Sequence, residues 1–270
     1  MSGRNGDRGI VLLVVLWTLA LLALMSAAIT GTGRREAGLG IALRSAAAAR
    51  AGAEAALHET LYDLVTGRRR ADGVTRRFPV GSATAAVTVR SEDGKLNPNT
   101  TPAETLAALV RAAGGGPSEA SAVAAAVVAW RSHAGSPGPD PAVLAAYRAA
   151  GRTFGPPGSP FLHLEELQLV LGVTPALYAA LAPHMSVYPS GVLDPGAADP
   201  VVRRALELAG IAASAPGGVQ QGGPATVLVA VRLQGTDGTV ARLSVVARLD
   251  PNSPGRPAAI LSWEEPDDDG

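Results

Sequence analysis

The sequence predicts an α+β protein: one long N-terminal helix packed on an antiparallel sheet, with a large, mostly α-helical unit inserted between early and late strands. Three observations carry this. An apolar run from Ile10 to Ile29, without charge or proline, continues into an Ala-rich stretch with helical spacing. Two pairs of alternating runs, one around Gly81-Ser82 and one around Thr236-Asp237-Gly238, read as hairpins. Between them lie helix-spaced apolar positions broken by Gly- and Pro-rich turns.

The first element is set by length. Helix rises about 1.5 Å per residue, so Ile10–Ile29 spans roughly 30 Å, the thickness of a bilayer core. Its hydroxyls are Thr18 and Ser26. A nine-residue polar leader, Met1 to Gly9, precedes it and ends in a small residue. A secretory signal carries its cleavage site after the apolar region. Cutting at the Gly9–Ile10 junction would instead leave the helix on the mature protein. Charge sets no orientation: Arg4 and Arg8 precede the span with Asp7 between them, and Arg34, Arg35 and Arg44 follow it. An uncut signal anchor is the plain alternative to cleavage.

Beyond the span, Leu39, Leu43, Ala46, Ala53, Leu57, Leu61 and Leu64 fall on one helical face to Val65. Glu36, Arg44, Arg50, Glu54 and Glu59 lie mostly off it. Gly31, Gly33, Gly38 and Gly40 each weaken the helix by up to about 1 kcal/mol, so a kink or melted stretch is expected there. Gly67 and Arg68-Arg69-Arg70 end it.

Thr75–Val80 and Ala83–Arg90 form the first hairpin. Asp93 to Glu104 is a loop opening into a helix, with Thr101 as cap, Pro102 in the first turn and Glu104 three residues after the cap. Further helices are expected over Ser118–Trp130 and Ala142–Ala150. From Phe161 a helix ends near Gly172 and another begins at Pro175 with Thr174 as cap, a turn like that of helix-hairpin-helix and SAM-like domains. Leu193-Asp194-Pro195-Gly196 and the helix after it echo Leu96-Asn97-Pro98-Asn99 and its helix. After a Gly/Gln linker, Thr226–Leu233, Thr239–Leu249 and Ala258–Trp263 are strands, and Glu264 to Asp269 reads as a solvated acidic tail. The divisions are thus 1–9, 10–65, 74–92, 93–212, 224–264 and 265–270.

Composition excludes several functions. Lys+Arg and Asp+Glu both number 23, which gives no general electrostatic grip on nucleic acid. There is no cysteine, hence neither a disulfide nor a cysteine-type zinc site. His58, His133, His163 and His184 are scattered without metal-binding spacing. Glu165-Glu166 reads as a helix start. Gly114-Gly115-Gly116-Pro117 lacks the Gly-Lys-Ser/Thr ending of a phosphate loop. Ser136, Ser159 and Ser190 lie in loops without a nucleophile elbow. No enzyme is expected.

The leader and apolar run resemble the class III signal of type IV pilins and pseudopilins. The wider order resembles the minor pseudopilin K family of type II secretion. The residues that carry it are Arg8-Gly9-Ile10-Val11-Leu12 through Trp17, Asp93-Gly94-Lys95-Leu96-Asn97, Leu164-Glu165-Glu166-Leu167, and Leu171-Gly172-Val173-Thr174-Pro175. The resemblance implies cleavage after Gly9 by a membrane peptidase and N-methylation of Ile10. It implies a bacterial inner-membrane protein, single-pass, with its head in the periplasm. Val14, the fifth mature residue, stands where most pilin-like subunits have Glu. A carboxylate there would pair with a neighbouring N-terminal ammonium. Its absence implies a place at the filament tip, beside minor pseudopilins of I, J and H type, with the outer-membrane secretin or secreted substrate as further contacts. Ala20, Ala23, Ala27 and Ala28 are small enough for close helix approach in the membrane.

Departures from the family are plain. The second asparagine-rich loop is Asp194-Pro195-Gly196-Ala197, and Arg131-Ser132-His133 replaces an acidic stretch. The family binds Ca2+ in its helical region. Calcium takes six to eight oxygens, and residues 110–163 offer only Glu119 and Asp140 as carboxylates, so no ligand is assigned. The alternatives are a minor pilin of a type IV pilus or competence system, and a membrane-anchored helix-hairpin-helix protein that binds DNA. The second is disfavoured because Thr174 replaces a turn glycine and Phe161–Ser190 contains no Arg or Lys.

Overall fold

A 60-residue helix, α1 (Gly6–Val65), leads into a five-stranded antiparallel sheet in the computed structural model. The structure describes residues 6–132, 140–189, 193–211 and 224–266; the side chains of 6–11 and 27–38 lie outside the description. The helix is unbroken through Gly31–Gly40, which corrects the expected melted stretch. The helix bears the glycines' cost of up to about 1 kcal/mol each without a break, since propagation needs no new nucleation.

The strands are β1 (Arg76–Val80), β2 (Ala83–Ser91), β3 (Ala225–Gln234), β4 (Val240–Leu249) and β5 (Ala258–Glu264), in sequence order across the sheet. Both expected hairpins form. Gly81 and Gly238 take the positive φ values, 59° and 85°, that their tight turns require. Alternation then sets the faces. Val89, Val229 and Val245 stand side by side across β2, β3 and β4 and share the core with α1. Ala49, Ala53, Ala56, Leu57 and Leu61 meet them, at the three- and four-residue spacing of one helical stripe. Complete burial of a leucine such as Leu57 contributes about 1.5–3 kcal/mol. The stripe is covered only in this half. Leu39 and Leu43 are exposed.

The helical unit fills the connection between β2 and β3. It contains α2 (Ala103–Ala112), α3 (Pro117–Arg131), α4 (Pro141–Ala149), α5 (Pro175–Leu181) and α6 (Pro200–Leu208). It has its own core, in which α2 packs against α3 and α6. Trp130 stacks on Phe161 with ring centres 5.9 Å apart. Asp140 caps α4 through the Ala142 amide at 2.8 Å, and Thr174 caps α5 through Leu177 at 3.1 Å.

Three local expectations change. The residue capping α2 is Pro102, not Thr101, and no side chain caps it. Arg131 holds the Thr101 carbonyl at 2.9 Å, which keeps the chain extended for one residue more. The element before Gly172 is a 3-10 turn, Leu164–Leu169, rather than an α-helix. Glu166 spans its start, accepting from the Leu162 and His163 amides at 2.9 Å. The linker from 212 to 223 and the tail from 267 lie outside the described residues. Within the tail that is described, Glu265 pairs with Arg50 and accepts from the Trp263 indole at 3.3 Å. That contact ties the end of β5 to α1, with Glu264 and Glu265 still exposed to solvent.

Candidate functional site

Two regions have features that a plain globular fold does not need: the N-terminal half of α1 and the junction between sheet and helical unit. Along α1, the large apolar side chains between Leu12 and Met25 are all exposed. Val14 is 53 % exposed, and Ala20 and Ala23 are exposed too. The Thr18 hydroxyl donates to the Val15 carbonyl at 2.9 Å, so its polar group is satisfied within the helix. Gly9, Ile10, Ala27 and Ala28 lie outside the residues whose side chains are described. Among the described residues, no helix is long and apolar enough to cross a membrane. Only residues 12–26 of the Ile10–Ile29 run have described side chains.

The junction is built from the Asp93–Asn99 loop. Glu92 N donates to Thr226 O, and Thr226 N donates to Asp93 Oδ2 at 2.7 Å, so the chain leaving β2 is tied to the chain entering β3. Burial pushes the Asp93 carboxyl up, and the charges of Asp194 and Glu92 act the same way against the Thr226 hydrogen bonds. The one lysine of the chain, Lys95, lies 2.8 Å from the buried Glu92. Gly94 packs directly on the echo loop, because a Cβ there would stand 2.2 Å from the Ala197 carbonyl oxygen. Asp194 N also donates to Asp93 O at 2.8 Å. The two loops with similar sequences are thus in contact, and the helices that follow them pack together.

Two amides do the work of the asparagine motif. Asn97 Nδ2 donates to the carbonyls of Val187 and Pro189, while its Oδ1 accepts from Asn99 N. Asn99 joins the backbone of Phe161 in both directions. Arg131 donates to the carbonyls of Pro98 and Thr101, and burial pushes its guanidinium down from its usual value. The loop is therefore a structural hub, with its side chains already committed. Sequence reading singled out the motif but assigned it no partners; Arg131 was missed as part of it, since no local signal links residues 30 or more apart.

No reactive constellation appears among the described residues. No three His, Cys, Asp or Glu side chains gather to hold a metal. Glu119 accepts from the Gly116 amide at 3.3 Å and Asp140 is a helix cap, so both carboxylates considered for Ca2+ have local roles. His184 meets Asp199 at 2.7 Å. Burial acts to raise Asp199, but His184 and the Val202 and Val201 amides hold it below its usual value. His58 bonds the Glu54 carbonyl, whereas His133, Ser136 and Ser190 lie outside the described residues. Glu165 and Glu166 do not act as an acid pair: Glu166 caps the 3-10 turn.

Residues 82–190, from the first hairpin turn through β2 and most of the helical unit, match the family model for type II secretion system protein K. That segment is similar to protein K of type II secretion. The fold agrees. A chain in the crystal structure of the GspK-GspI-GspJ complex from the enterotoxigenic Escherichia coli type 2 secretion system aligns with a TM-score of 0.57. Identity is 17 %, over 87 % of this chain and 99 % of that one. No curated protein sequence matches significantly. Within the protein K match lie the Asn97 and Asn99 hub, Arg131 and Thr174.

Proposed function

We propose that this chain is a minor pseudopilin that assembles at the tip of the type II secretion pseudopilus, starts its growth and supports export of folded proteins. In this reading the membrane peptidase cuts after Gly9 and methylates Ile10. The Ile10–Ile29 helix then holds the protein in the inner membrane with the head in the periplasm. Ala20, Ala23, Ala27 and Ala28 give sister helices room to approach. Val14 offers no carboxylate to a subunit above, which suits a terminal position. Other minor pseudopilins, of I and J type and also H type, are the partners, and the similarity to a chain of the GspK-GspI-GspJ complex supports this. The chain acts by assembly rather than catalysis, and the secretin and the secreted substrate are further contacts for the helical unit.

The observation that carries the reading is one combination: a protein K-type sheet and helical unit borne on a helix whose apolar side chains from Leu12 to Met25 are covered by none of the described residues. The test is intact mass and N-terminal sequencing of membrane-extracted protein. N-methyl-Ile10 as the first residue is expected. Gly9→Trp should retain the leader; loss of the same nine residues from that variant would overturn the processing step.

A further inference from the structure

The two edges of the sheet are built differently. Strand β1 has only five residues, and they include Pro79, Arg76 and Arg77. Proline and charge are the devices that stop an edge from pairing with another chain. Strand β5, Ala258–Glu264, has neither proline nor a basic residue. Its Ile260, Leu261 and Trp263 are 47 %, 36 % and 36 % exposed. Among the described residues no strand pairs with its outer side. An open notch of about 270 Å³ lies where Arg50 and Glu54 of α1 meet Leu243, Trp263 and Glu265.

The two segments that flank strands β3 and β5 in the sequence do not suit this edge. Residues 212–223 are mostly Gly, Ala and Gln with Pro216, and residues 267–270 are acidic. Neither offers alternating apolar side chains. The charge at the edge describes the occupant. Strand β5 ends in Glu264-Glu265, and Glu165 of the helical unit shares an open groove with Glu264.

We propose that the free edge of β5 receives an extended strand from the head of another pseudopilin, apolar at alternate positions and bearing a basic residue where it passes Glu264. This rests on the reading that the chain assembles with such subunits. Backbone pairing supplies the attraction, and Ile260, Leu261 and the Glu264 end select the strand. The Arg50–Glu265 contact holds the end of β5 in place for it.

The test is photo-crosslinking of the full-length chain in cells that build the secretion system. A photoreactive residue is placed at Ile260, with others at Arg77 on the β1 edge and at Leu43, which is exposed on α1. The expected product at Ile260 is a strand peptide from another pseudopilin head that contains Lys or Arg; Arg77 gives none. Glu264→Lys should cut the Ile260 product about fivefold and leave the Leu43 product unchanged. Products at Ile260 from a helix or from a second copy of this chain would overturn the proposal. So would no product at Ile260 while Leu43 links to pseudopilins. Failure at Leu43 as well would bring down the assembly reading itself.

Discussion

Asn99 and Phe161 hold each other through a pair of hydrogen bonds that copies a strand pairing: Phe161 N donates to Asn99 Oδ1 at 2.7 Å, and Asn99 Nδ2 donates to Phe161 O at 2.9 Å. One side chain thereby satisfies both backbone groups of a residue 62 positions away. Phe161 in turn stacks on Trp130, so the hub loop fixes the aromatic part of the helical core.

Asn99→Ala strands both Phe161 groups. A loss of about 2–3 kcal/mol is expected, measured by denaturant unfolding of the purified protein. Asn99→Asp keeps the acceptor and loses the donor, and should fall between the two.

Gly94→Ala should destabilise more than Gly52→Ala. At Gly94 the new Cβ meets the Ala197 carbonyl at 2.2 Å, and backbone cannot step aside. At Gly52 it meets the Leu233 side chain at 3.1 Å, which can rotate. A cost of about 2–3 kcal/mol for Gly94 and under about 1 kcal/mol for Gly52 is the expected split in unfolding experiments.

Asp93→Asn tests the buried carboxylate. Its folded pKa is raised, chiefly by burial. The folded state therefore binds the proton more tightly than the unfolded state does. Stability from this group is full below the ordinary aspartate value and is lost as pH rises through the raised one. The asparagine variant escapes that loss while its oxygen still accepts from Thr226. Its melting temperature should equal or exceed that of the wild type at neutral pH, and the difference should fall towards acid pH. A variant markedly less stable at neutral pH would contradict this account.

Arg50→Ala should cost under about 1 kcal/mol in global stability, because the Arg50, Glu54 and Glu265 side chains are 60 %, 39 % and 40 % exposed. Its effect belongs to the end of β5. Amide hydrogen exchange should rise at Trp263 and Glu264 while α1 and β3 keep their protection.

What could be read from the sequence followed from local periodicity. The α1 stripe, the two hairpins and the cap at Thr174 each depend on residues within a few positions of one another. The α2 start shifted by one residue because Arg131, on another helix, holds the Thr101 carbonyl. The hub was visible as the Leu96-Asn97-Pro98-Asn99 motif, but its partners at Phe161, Val187 and Pro189 are set by tertiary packing. The resemblance to protein K rests on short local motifs, and the segment they fall in, 82–190, is the one that matches the family model. The uncovered edge of β5 was not legible, since Ala258–Trp263 reads alike as an inner or an outer strand.

The junction at Asp93 and Thr226 has a consequence for how the chain reaches its native state. Strands β2 and β3 are antiparallel neighbours whose pairing runs to Ser91 and Val227, yet 133 positions separate Asp93 from Thr226. Closing so long a loop from a disordered chain is slow and entropically costly. Once the helical unit has folded on its own core, its entry and exit lie side by side, and it serves the sheet as an oversized turn. Folding should therefore proceed from the middle of the sequence outwards. Shortening the insert to a tight turn should leave the sheet register unchanged and make the sheet form faster.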